Sequence, residues 1–266
     1  MEDKRLEATA RLLEVMNTLR RECPWDREQT FDSLRSNTIE ETYELADAIT
    51  DHNMEGIKEE LGDLLLHVIF YSKIASEEGA FDIADVADTE CDKLIFRHPH
   101  IFGAVHADTP DEVKQNWEDL KLKEKEKEHE KKRVLSGVPR TLPSLVKAYR
   151  ISQKAASAGF DWETKEDIWS KVQEEISEVQ AAMQSGDEVN KEEEFGDLLF
   201  ALVNAARLYG VNAETALEKC NKKFISRFTY IEEQAEKQGL SLRELSLAEM
   251  ENWWCEAKNK AKEKTE

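Results

Sequence analysis

The chain has 266 residues, of which 40% are hydrophobic and 35% charged, so it has too much apolar sequence for a disordered protein and is long enough for two globular modules. Its 57 acidic residues outnumber 37 basic ones, and the formal net charge of -20 argues against direct nucleic-acid binding or an anionic-membrane surface. The charged N-terminal residues 1–11 have no apolar core of signal-peptide length, and no stretch of about 18 apolar residues occurs in the sequence, so we expect a soluble, cytoplasmic protein.

Ten glycines and five prolines interrupt the chain, and its apolar residues recur mostly at i, i+3, i+4 and i+7. This spacing predicts an all-α fold. A first amphipathic helix includes Leu6–Leu19 and should stop before Cys23-Pro24, because proline disfavours helical backbone in the residue before it. A second helix is predicted near 38–50, and a turn at 51–53 leads into a longer apolar helix that ends near Gly79.

The first half should continue with a helix near 86–97 and another after Thr109, which forms a capping-box pattern with Glu112. A run of lysine and glutamate at 121–133 has almost no apolar residues and predicts a solvated helix or spacer. Glycine and proline residues follow this charged run and break the helical pattern. We therefore place an N-terminal module at residues 1–133, a linker at 134–144 and a C-terminal module at 145–266.

The second half repeats the order of elements in the first. We predict a helix near 145–156, an acidic helix that ends at a turn at 185–187, an apolar helix to Leu208, and a helix from Ala213. Ser246 has the position of a cap for the last helix. The four cysteines of the chain lie far apart, which predicts reduced thiols rather than a zinc site.

An acidic pattern occurs in both halves at a constant offset, because the separation of Glu41 from Glu175 equals that of Asp63 from Asp197. The first copy comprises Glu41, Glu44, Glu60 and Asp63, and the second comprises Glu175, Glu178, Glu194 and Asp197. An i,i+3 spacing puts two carboxylates on one helical face, so two such helices folded together would bring four carboxylates to one point. Four converged carboxylates need a cation.

Carboxylate ligands at helical spacing suit Mg²⁺, with Mn²⁺ as the alternative, because these ions take oxygen ligands and leave positions for water and phosphate. A di-iron bundle would have Glu-x-x-His motifs, and neither copy has histidine there. The alternative interpretation is that the acids form solvated helix faces. The repetition weakens it, and so does the place of Asp63 and Asp197 on apolar helices, where an unpaired charge is costly.

A basic and aromatic pattern is also repeated in the same order. Its members are Lys93, Arg97, Trp117 and Lys121 in the first half, and Lys223, Arg227, Trp254 and Lys258 in the second. Each pair is spaced i,i+4, so both side chains lie on one helical face and can address one ligand. For the cations the alternative is ion pairing with the abundant acids, and for the tryptophans it is a place in the core. His67, on an apolar helix, is predicted to be a buried core or interface residue.

Four sequence segments together are typical of one family. They are Cys23-Pro24-Trp25-Asp26, Ile39-Glu40-Glu41, Glu60-Leu61-Gly62-Asp63-Leu64-Leu65 and Arg97-His98-Pro99-His100. With the repeated acids, they resemble the tandem-domain type of the MazG nucleoside triphosphate pyrophosphohydrolases, an all-α family marked by E-E-x-x-E followed by E-x-x-D. The resemblance covers nearly the whole chain.

The resemblance implies hydrolysis of nucleoside triphosphates, and of deoxynucleoside triphosphates, between the α and β phosphates. The products would be a monophosphate and pyrophosphate, the cofactor Mg²⁺, and the role nucleotide-pool housekeeping or a stress response. It also implies a homodimer in which each module pairs its helices with a second copy into a four-helix-bundle-type core. A regulatory protein partner is left open by the sequence.

The site residues carry over by matching position. The implied metal ligands are Glu175, Glu178, Glu194 and Asp197, and by repeat Glu41, Glu44, Glu60 and Asp63; these second-half acids and Glu174 form the catalytic set. The implied substrate-binding residues are Lys171, Lys223, Arg227, Trp254 and Lys258, and by repeat Lys93, Arg97, Trp117 and Lys121. Whether Glu174 or Glu175 takes the proton of the attacking water, or the metal ion activates that water, stays open.

The two modules differ at one of these positions. Lys171 lies four residues before Glu175, whereas Asn37 lies four residues before Glu41, so the first module lacks one predicted phosphate contact. We therefore expect most turnover in the C-terminal module and a structural, dimerising or weakly active role for the N-terminal one. Two alternatives remain: a non-catalytic acidic helical interaction protein, and a metal-dependent hydrolase of another phosphate ester.

Overall fold

The computed structural model describes residues 3–107, 133–185 and 188–263, together with 109, 112, 113, 116, 117 and 120. Every regular element in this part of the chain is helical, which confirms the predicted all-α class. Contacts divide the chain into two compact units, residues 1–130 and 131–266. None of the described helices is long and apolar enough to cross a membrane.

The first unit is built from six described helices. They are α1 (Lys4–Glu22), α2 (Pro24–Glu28), α3 (Phe31–Thr50), α4 (Met54–Glu77), α5 (Ile83–Arg97) and α6 (Pro99–Phe102). As predicted, α1 ends before Cys23, because Pro24 begins the next helix. The backbone hydrogen bonds of the predicted cap between Thr109 and Glu112 are both present, at 3.4 and 3.3 Å.

Two helices of the first unit begin earlier than their apolar spacing predicts. Helix α3 starts at Phe31, because Thr30 and Ser33 exchange side-chain hydrogen bonds with each other's backbone amides in a capping box. Helix α5 starts at Ile83 behind an equivalent box formed by Asp82 and Asp85. Both starts depend on short polar side chains and have no apolar signal. The predicted start of α3 near 38 was therefore wrong, whereas α5 contains the predicted residues 86–97 and begins three residues before them.

Helices α3 and α4 are the most extensively packed pair of the first unit and are joined by the short turn at 51–53. The turn makes them antiparallel neighbours, so the acids of both helices come to one side of the pair. His52 in the turn has a left-handed backbone with φ of 54°. The core beneath the pair consists of Met16, Leu34, Ile69, Phe70 and Ile74.

The second unit follows the same plan. It contains a 3₁₀ turn (Val134–Gly137), then α7 (Ser144–Ser157), α8 (Ile168–Ser185), α9 (Glu188–Leu208), α10 (Ala213–Lys237), a 3₁₀ turn (Leu242–Glu244) and α11 (Leu247–Glu263). Helices α8 and α9 form the closest pair, and α7 packs on α9. The core cluster consists of Ile168, Val172, Ala201 and Ala205. Ser246 caps α11 as predicted, with reciprocal hydrogen bonds to Glu249.

Candidate active site

The acids of the second unit meet where α8 and α9 pack together. Ligand oxygens of Glu175 on α8 and of Glu194 and Asp197 on α9 lie within 4.8 Å of one another. The fourth predicted member, Glu178, is exposed and lies outside this group, one turn further along α8. Burial raises the pKa of Glu178, as do the charges of Glu175 and, more weakly, Glu194. Glu178 therefore lies at the edge of the acidic group.

The first unit repeats this arrangement with half-buried side chains. Oxygens of Glu41, Glu60 and Asp63 lie within 4.8 Å of one another, and the exposed Glu44 again lies outside. Burial, and then the charge of Asp63, raises the pKa of Glu41. Burial, and then the charges of Glu44 and Glu41, raises the pKa of Glu60. The ionised acids repel one another, so a bound cation would stabilise their ionised forms.

Glu175 provides the best test of whether a cation fits this site. The residue is only 4% exposed, and its Oε2 atom is buried without a hydrogen-bond partner among the described residues. A buried carboxylate oxygen left in this state is costly. The group at Glu175, Glu194 and Asp197 offers only carboxylate oxygens, the ligand type that Mg²⁺ and Mn²⁺ prefer. The residues present therefore fit a divalent cation.

Lys171 lies one turn before Glu175 and already has two carboxylate partners. Its Nζ atom is 2.7 Å from Oε1 of Glu175 and 2.9 Å from Oε1 of Glu174. These hydrogen bonds raise the pKa of Lys171, so it stays protonated. Asn37 holds this position in the first unit and is exposed. A fixed positive charge therefore lies beside the acids of the second unit and has no counterpart at the matching position of the first.

A cavity of about 740 Å³ opens beside the acids of the second unit. Such a volume is within the range of about 300–1,000 Å³ for small-molecule sites. Its lining includes the acidic and basic groups Lys171, Glu175, Asp197, Asp161 and Arg207, the polar Ser152 and Asn204, and apolar side chains such as Ile151, Trp162, Ile168, Phe200 and Ala201. Sequence reasoning did not find Ser152, Asn204, Asp161 or Arg207, because they belong to no repeated motif.

One wall of the cavity is held by Arg207 on α9. Its guanidinium donates to both carboxylate oxygens of Asp161, at 3.1 and 2.5 Å, and its Nε donates to Oδ1 of Asn204 at 2.9 Å. Asp161 lies in the loop between α7 and α8. The bidentate pair therefore ties this loop to α9 at the lining of the cavity.

The first unit has large side chains at the equivalent positions. At the constant offset that relates the two acidic patterns, Ala201 and Ala205 correspond to His67 and Tyr71. His67 is buried, as predicted, and its Nδ1 lies 2.6 Å from the hydroxyl oxygen of Thr38, which lies 2.7 Å from the Tyr71 hydroxyl. Burial lowers the pKa of His67. The two units thus share their acids and differ in the size of the side chains at these two positions.

The predicted basic and aromatic residues of the second unit form a separate cluster on α10 and α11. The Arg227 guanidinium lies 5.3 Å from the centre of the Trp254 ring, and the Phe224 ring meets that ring edge-on at 4.9 Å. Lys223 and Lys258 are exposed. None of the four predicted residues, Lys223, Arg227, Trp254 and Lys258, lines the cavity. Within one chain, Arg227 and Trp254 therefore contact each other but do not line the cavity.

Of the equivalent residues in the first unit, Lys93 forms an ion pair with Glu90, the alternative that its sequence context left open. Arg97 closes α5 and is half-buried. Trp117 is at the border between half-buried and exposed, and Lys121 lies outside the described residues.

A family model described as the MazG nucleotide pyrophosphohydrolase domain matches this chain twice, at residues 29–102 and 163–231. The chain belongs to the MazG family. The starts of the two matches are separated by the same offset as the two acidic patterns, and the matches include all six clustered carboxylates.

Relatives of this MazG chain align over most of its length. It is 44% identical to the nucleoside triphosphate pyrophosphohydrolase/pyrophosphatase MazG of Thermotoga maritima, over 93% of this chain and 94% of that protein. It is 43% identical to a nucleoside triphosphate pyrophosphohydrolase of Escherichia coli K12, over 93% and 96%. The protein YabN of Bacillus subtilis is 46% identical over 89% of this chain and 48% of its own length.

Proposed function

We propose that this MazG chain is a Mg²⁺-dependent nucleoside triphosphate pyrophosphohydrolase that cleaves NTPs and dNTPs between the α and β phosphates. The observation that carries the proposal is the carboxylate group at Glu175, Glu194 and Asp197, which opens onto a cavity of small-molecule size. Two relatives that align over most of the chain are named for this reaction. The cellular role would be nucleotide-pool housekeeping or a stress response.

Glu175, Glu194 and Asp197 would hold Mg²⁺, with Glu178 at the edge of the site and Mn²⁺ as an alternative ion. When bound, the cation supplies positive charge to the phosphates and lowers the pKa of a coordinated water. Lys171 adds a second positive charge beside the same carboxylates. We infer that its ammonium transfers from the glutamates to phosphate oxygens and stabilises the charge that develops on the leaving pyrophosphate.

The proton of the attacking water needs an acceptor. The side chain of Glu174 is 56% exposed and pairs through Oε1 with Lys171, whereas Glu175 has one oxygen in an ion pair and the other buried at the cation site. This difference supports Glu174 as the general base and Glu175 as a ligand. The displacement itself then depends mainly on positioning and charge neutralisation by the protein.

We assign most turnover to the second unit. It has Lys171 and the cavity, whereas the first unit has Asn37 and the large side chains of His67 and Tyr71 at the equivalent positions. The first unit retains the carboxylates and would bind a cation. Its role would be structural or dimerising, with weak activity at most.

Exposed apolar stripes support the proposed homodimer. Leu61, Leu65 and Val68 on α4 and their repeat equivalents Phe195, Leu199 and Leu202 on α9 are each between 41% and 54% exposed. Their i, i+4, i+7 spacing places each set on one helix face, as in helix bundles. A second copy would cover both faces. It would also offer a second set of Lys223, Arg227, Trp254 and Lys258 to the substrate, since these residues do not line the cavity of their own chain.

The decisive experiment resolves the products formed from a panel of nucleoside triphosphates, with and without Mg²⁺. We expect monophosphate and pyrophosphate only with the cation. Asp197→Ala should abolish this turnover, and the matched Asp63→Ala in the first unit should reduce it much less. Equal losses would contradict the assignment to the second unit. Orthophosphate as the first product would favour another phosphate-ester hydrolase, and no turnover at all would favour the interaction protein.

A further inference from the structure

We propose that the part of the cavity beyond the acids binds the nucleobase, with Ser152 and Asn204 hydrogen-bonding to its edge and the small side chain of Ala201 leaving room for it. This inference rests on the proposed function, because it assigns the rest of the substrate of that site. It adds residues from α7 and α9 to a site otherwise defined by carboxylates and lysine.

Ser152 has a buried hydroxyl that lacks a partner in the part of the chain that the structure describes. The residue is 5% exposed, lines the cavity, and its Oγ atom has no hydrogen-bond partner among the described residues. Buried hydroxyl groups in native proteins are almost always hydrogen-bonded. A ligand in the cavity would satisfy this one. A hydroxyl both donates and accepts, so it can pair with any nucleobase edge.

Asn204 lines the same cavity, and its orientation is fixed by its neighbour. Nε of Arg207 can only donate, so the Asn204 atom 2.9 Å from it must be the amide oxygen. The amide NH₂ group of Asn204 is therefore directed away from Arg207 as a donor. Ring nitrogens and carbonyl oxygens of nucleobases accept such hydrogen bonds.

The cavity lining contains both charged and apolar groups. Glu175 and Asp197 belong to the acidic group and Lys171 pairs with Glu175, which suits a phosphate chain with its cation. Elsewhere the lining includes Ile151, Trp162, Ile168, Phe200 and Ala201, which suit a flat aromatic ring. Arg207 does not make this part attractive to phosphate, because Asp161 neutralises it through two hydrogen bonds. A nucleotide has the same division between charge and aromatic surface.

The first unit has larger side chains at the equivalent positions. His67 and Tyr71 replace Ala201 and Ala205 at the repeat positions, and Thr38 replaces Val172. The hydroxyl of Thr38 forms hydrogen bonds with both His67 and Tyr71. A histidine at position 201 would therefore place a large ring where the cavity of the second unit is lined by the small Ala201.

The test compares a nucleoside triphosphate with ribose 5′-triphosphate, which keeps the reacting anhydride and lacks the base. Wild type should use the nucleoside triphosphate with at least about tenfold higher kcat/KM. Ser152→Ala should raise KM for the nucleoside triphosphate about fivefold, which corresponds to the free energy of one hydrogen bond. The same change should leave kcat and KM for ribose 5′-triphosphate unchanged. Ala201→His should remove the preference. The matched change His67→Ala in the first unit should leave it intact.

Circular dichroism would show whether Ala201→His folds. If it does not fold, Ser152→Ala still tests the nucleobase assignment. Equal kcat/KM for both compounds in wild type would overturn the nucleobase assignment and leave the proposed function standing. If no triphosphate is hydrolysed, the proposed function fails, and calorimetry with free adenosine, guanosine, cytidine and uridine then tests the cavity alone. Binding that Ser152→Ala weakens would support the assignment, and no binding of any nucleoside would overturn it.

Discussion

The hydroxyl oxygen of Thr38 lies 2.6 Å from Nδ1 of His67 and joins α3 to α4 inside the first unit. The same oxygen is 3.0 Å from the Leu34 carbonyl and 2.7 Å from the Tyr71 hydroxyl. The carbonyl can only accept, so all three contacts are satisfied when Thr38 donates to it and accepts from His67 and Tyr71. This arrangement requires a proton on Nδ1 of His67. It gives the first unit a polar contact where the second has Val172 and Ala201.

His67 should make the stability of the first unit sensitive to mild acid. Its burial lowers its pKa below the usual value of about 6.5, while Asp63 acts weakly in the opposite direction. A group with a lowered pKa in the folded state contributes stability that is fully present above its unfolded pKa and is lost as pH falls through its folded pKa. We therefore expect an imidazole NMR titration below pH 6.5. The decrease in melting temperature between pH 7 and pH 5 should be smaller in His67→Gln. An imidazole pKa at or above 6.5 would contradict this.

Divalent cations should stabilise the protein at neutral pH and much less in acid. The raised pKa values of Glu41 and Glu60 mean that their contribution to stability is present below their unfolded pKa and is lost as pH rises through the folded pKa. At pH 7 the ionised carboxylates repel, and a cation at about 100 times its Kd would add about 2.7 kcal/mol. Calorimetry with Mg²⁺ or Mn²⁺ at pH 7 and pH 5 measures this.

The matched controls for cation binding are Glu41→Gln and Glu175→Gln, each of which should weaken one site and leave the other. Calorimetric titration of wild type should therefore show two sites per chain, one of which disappears in each variant. The absence of any change in melting temperature with cation or chelator at pH 7 would count against both sites.

Lys171 should contribute to the reaction as well as to folding. Its removal takes away charge-assisted hydrogen bonds, worth about 1.5–3 kcal/mol, so Lys171→Ala should lower kcat/KM by about 10- to 100-fold. The pair with the exposed Glu174 adds little to stability, whereas the Glu175 side chain is only 6% exposed and loses its ion-pair partner, so melting temperature should also fall. Lys165→Ala is the control, since Lys165 contacts the Tyr209 ring and does not line the cavity. Equal effects of the two changes would argue against a substrate role for Lys171.

The exposed apolar stripes on α4 and α9 should each be buried by a second copy of the chain. Leu199→Glu and Leu65→Glu each place a charge on one apolar stripe, so we expect a shift from dimer to monomer in sedimentation equilibrium. Leu247→Glu, at an exposed leucine at the start of α11, should leave the dimer intact. A monomeric wild type would show that the stripes have another role.

The acids could be predicted because spacing along a helix fixes a shared face, and because the constant offset between the two copies appears in the sequence itself. The extra turns of α3 and α5 were missed, since caps such as Thr30–Ser33 depend on two short side chains. The cavity could not be predicted, because Ser152, Asp161 and Arg207 come from three separate elements. The predicted substrate-binding residues Lys223 and Trp254 show the same limit of sequence reasoning. Spacing predicts which residues share a helix face, but it does not predict what that face contacts in the fold.

The two units share their acids but differ in the side chains beside them, so a mutation in one unit should not have the same effect as the equivalent mutation in the other. Internal duplication offers redundancy only while both copies can do the same work. Here a change at Glu194 would remove one of the proposed metal ligands, and the first unit has the larger His67 and Tyr71 at the positions equivalent to Ala201 and Ala205. Selection should therefore act on α8 and α9 residue by residue, as on an enzyme. On α3 and α4 it should act through packing and cation affinity, so chemically different residues there can serve equally well.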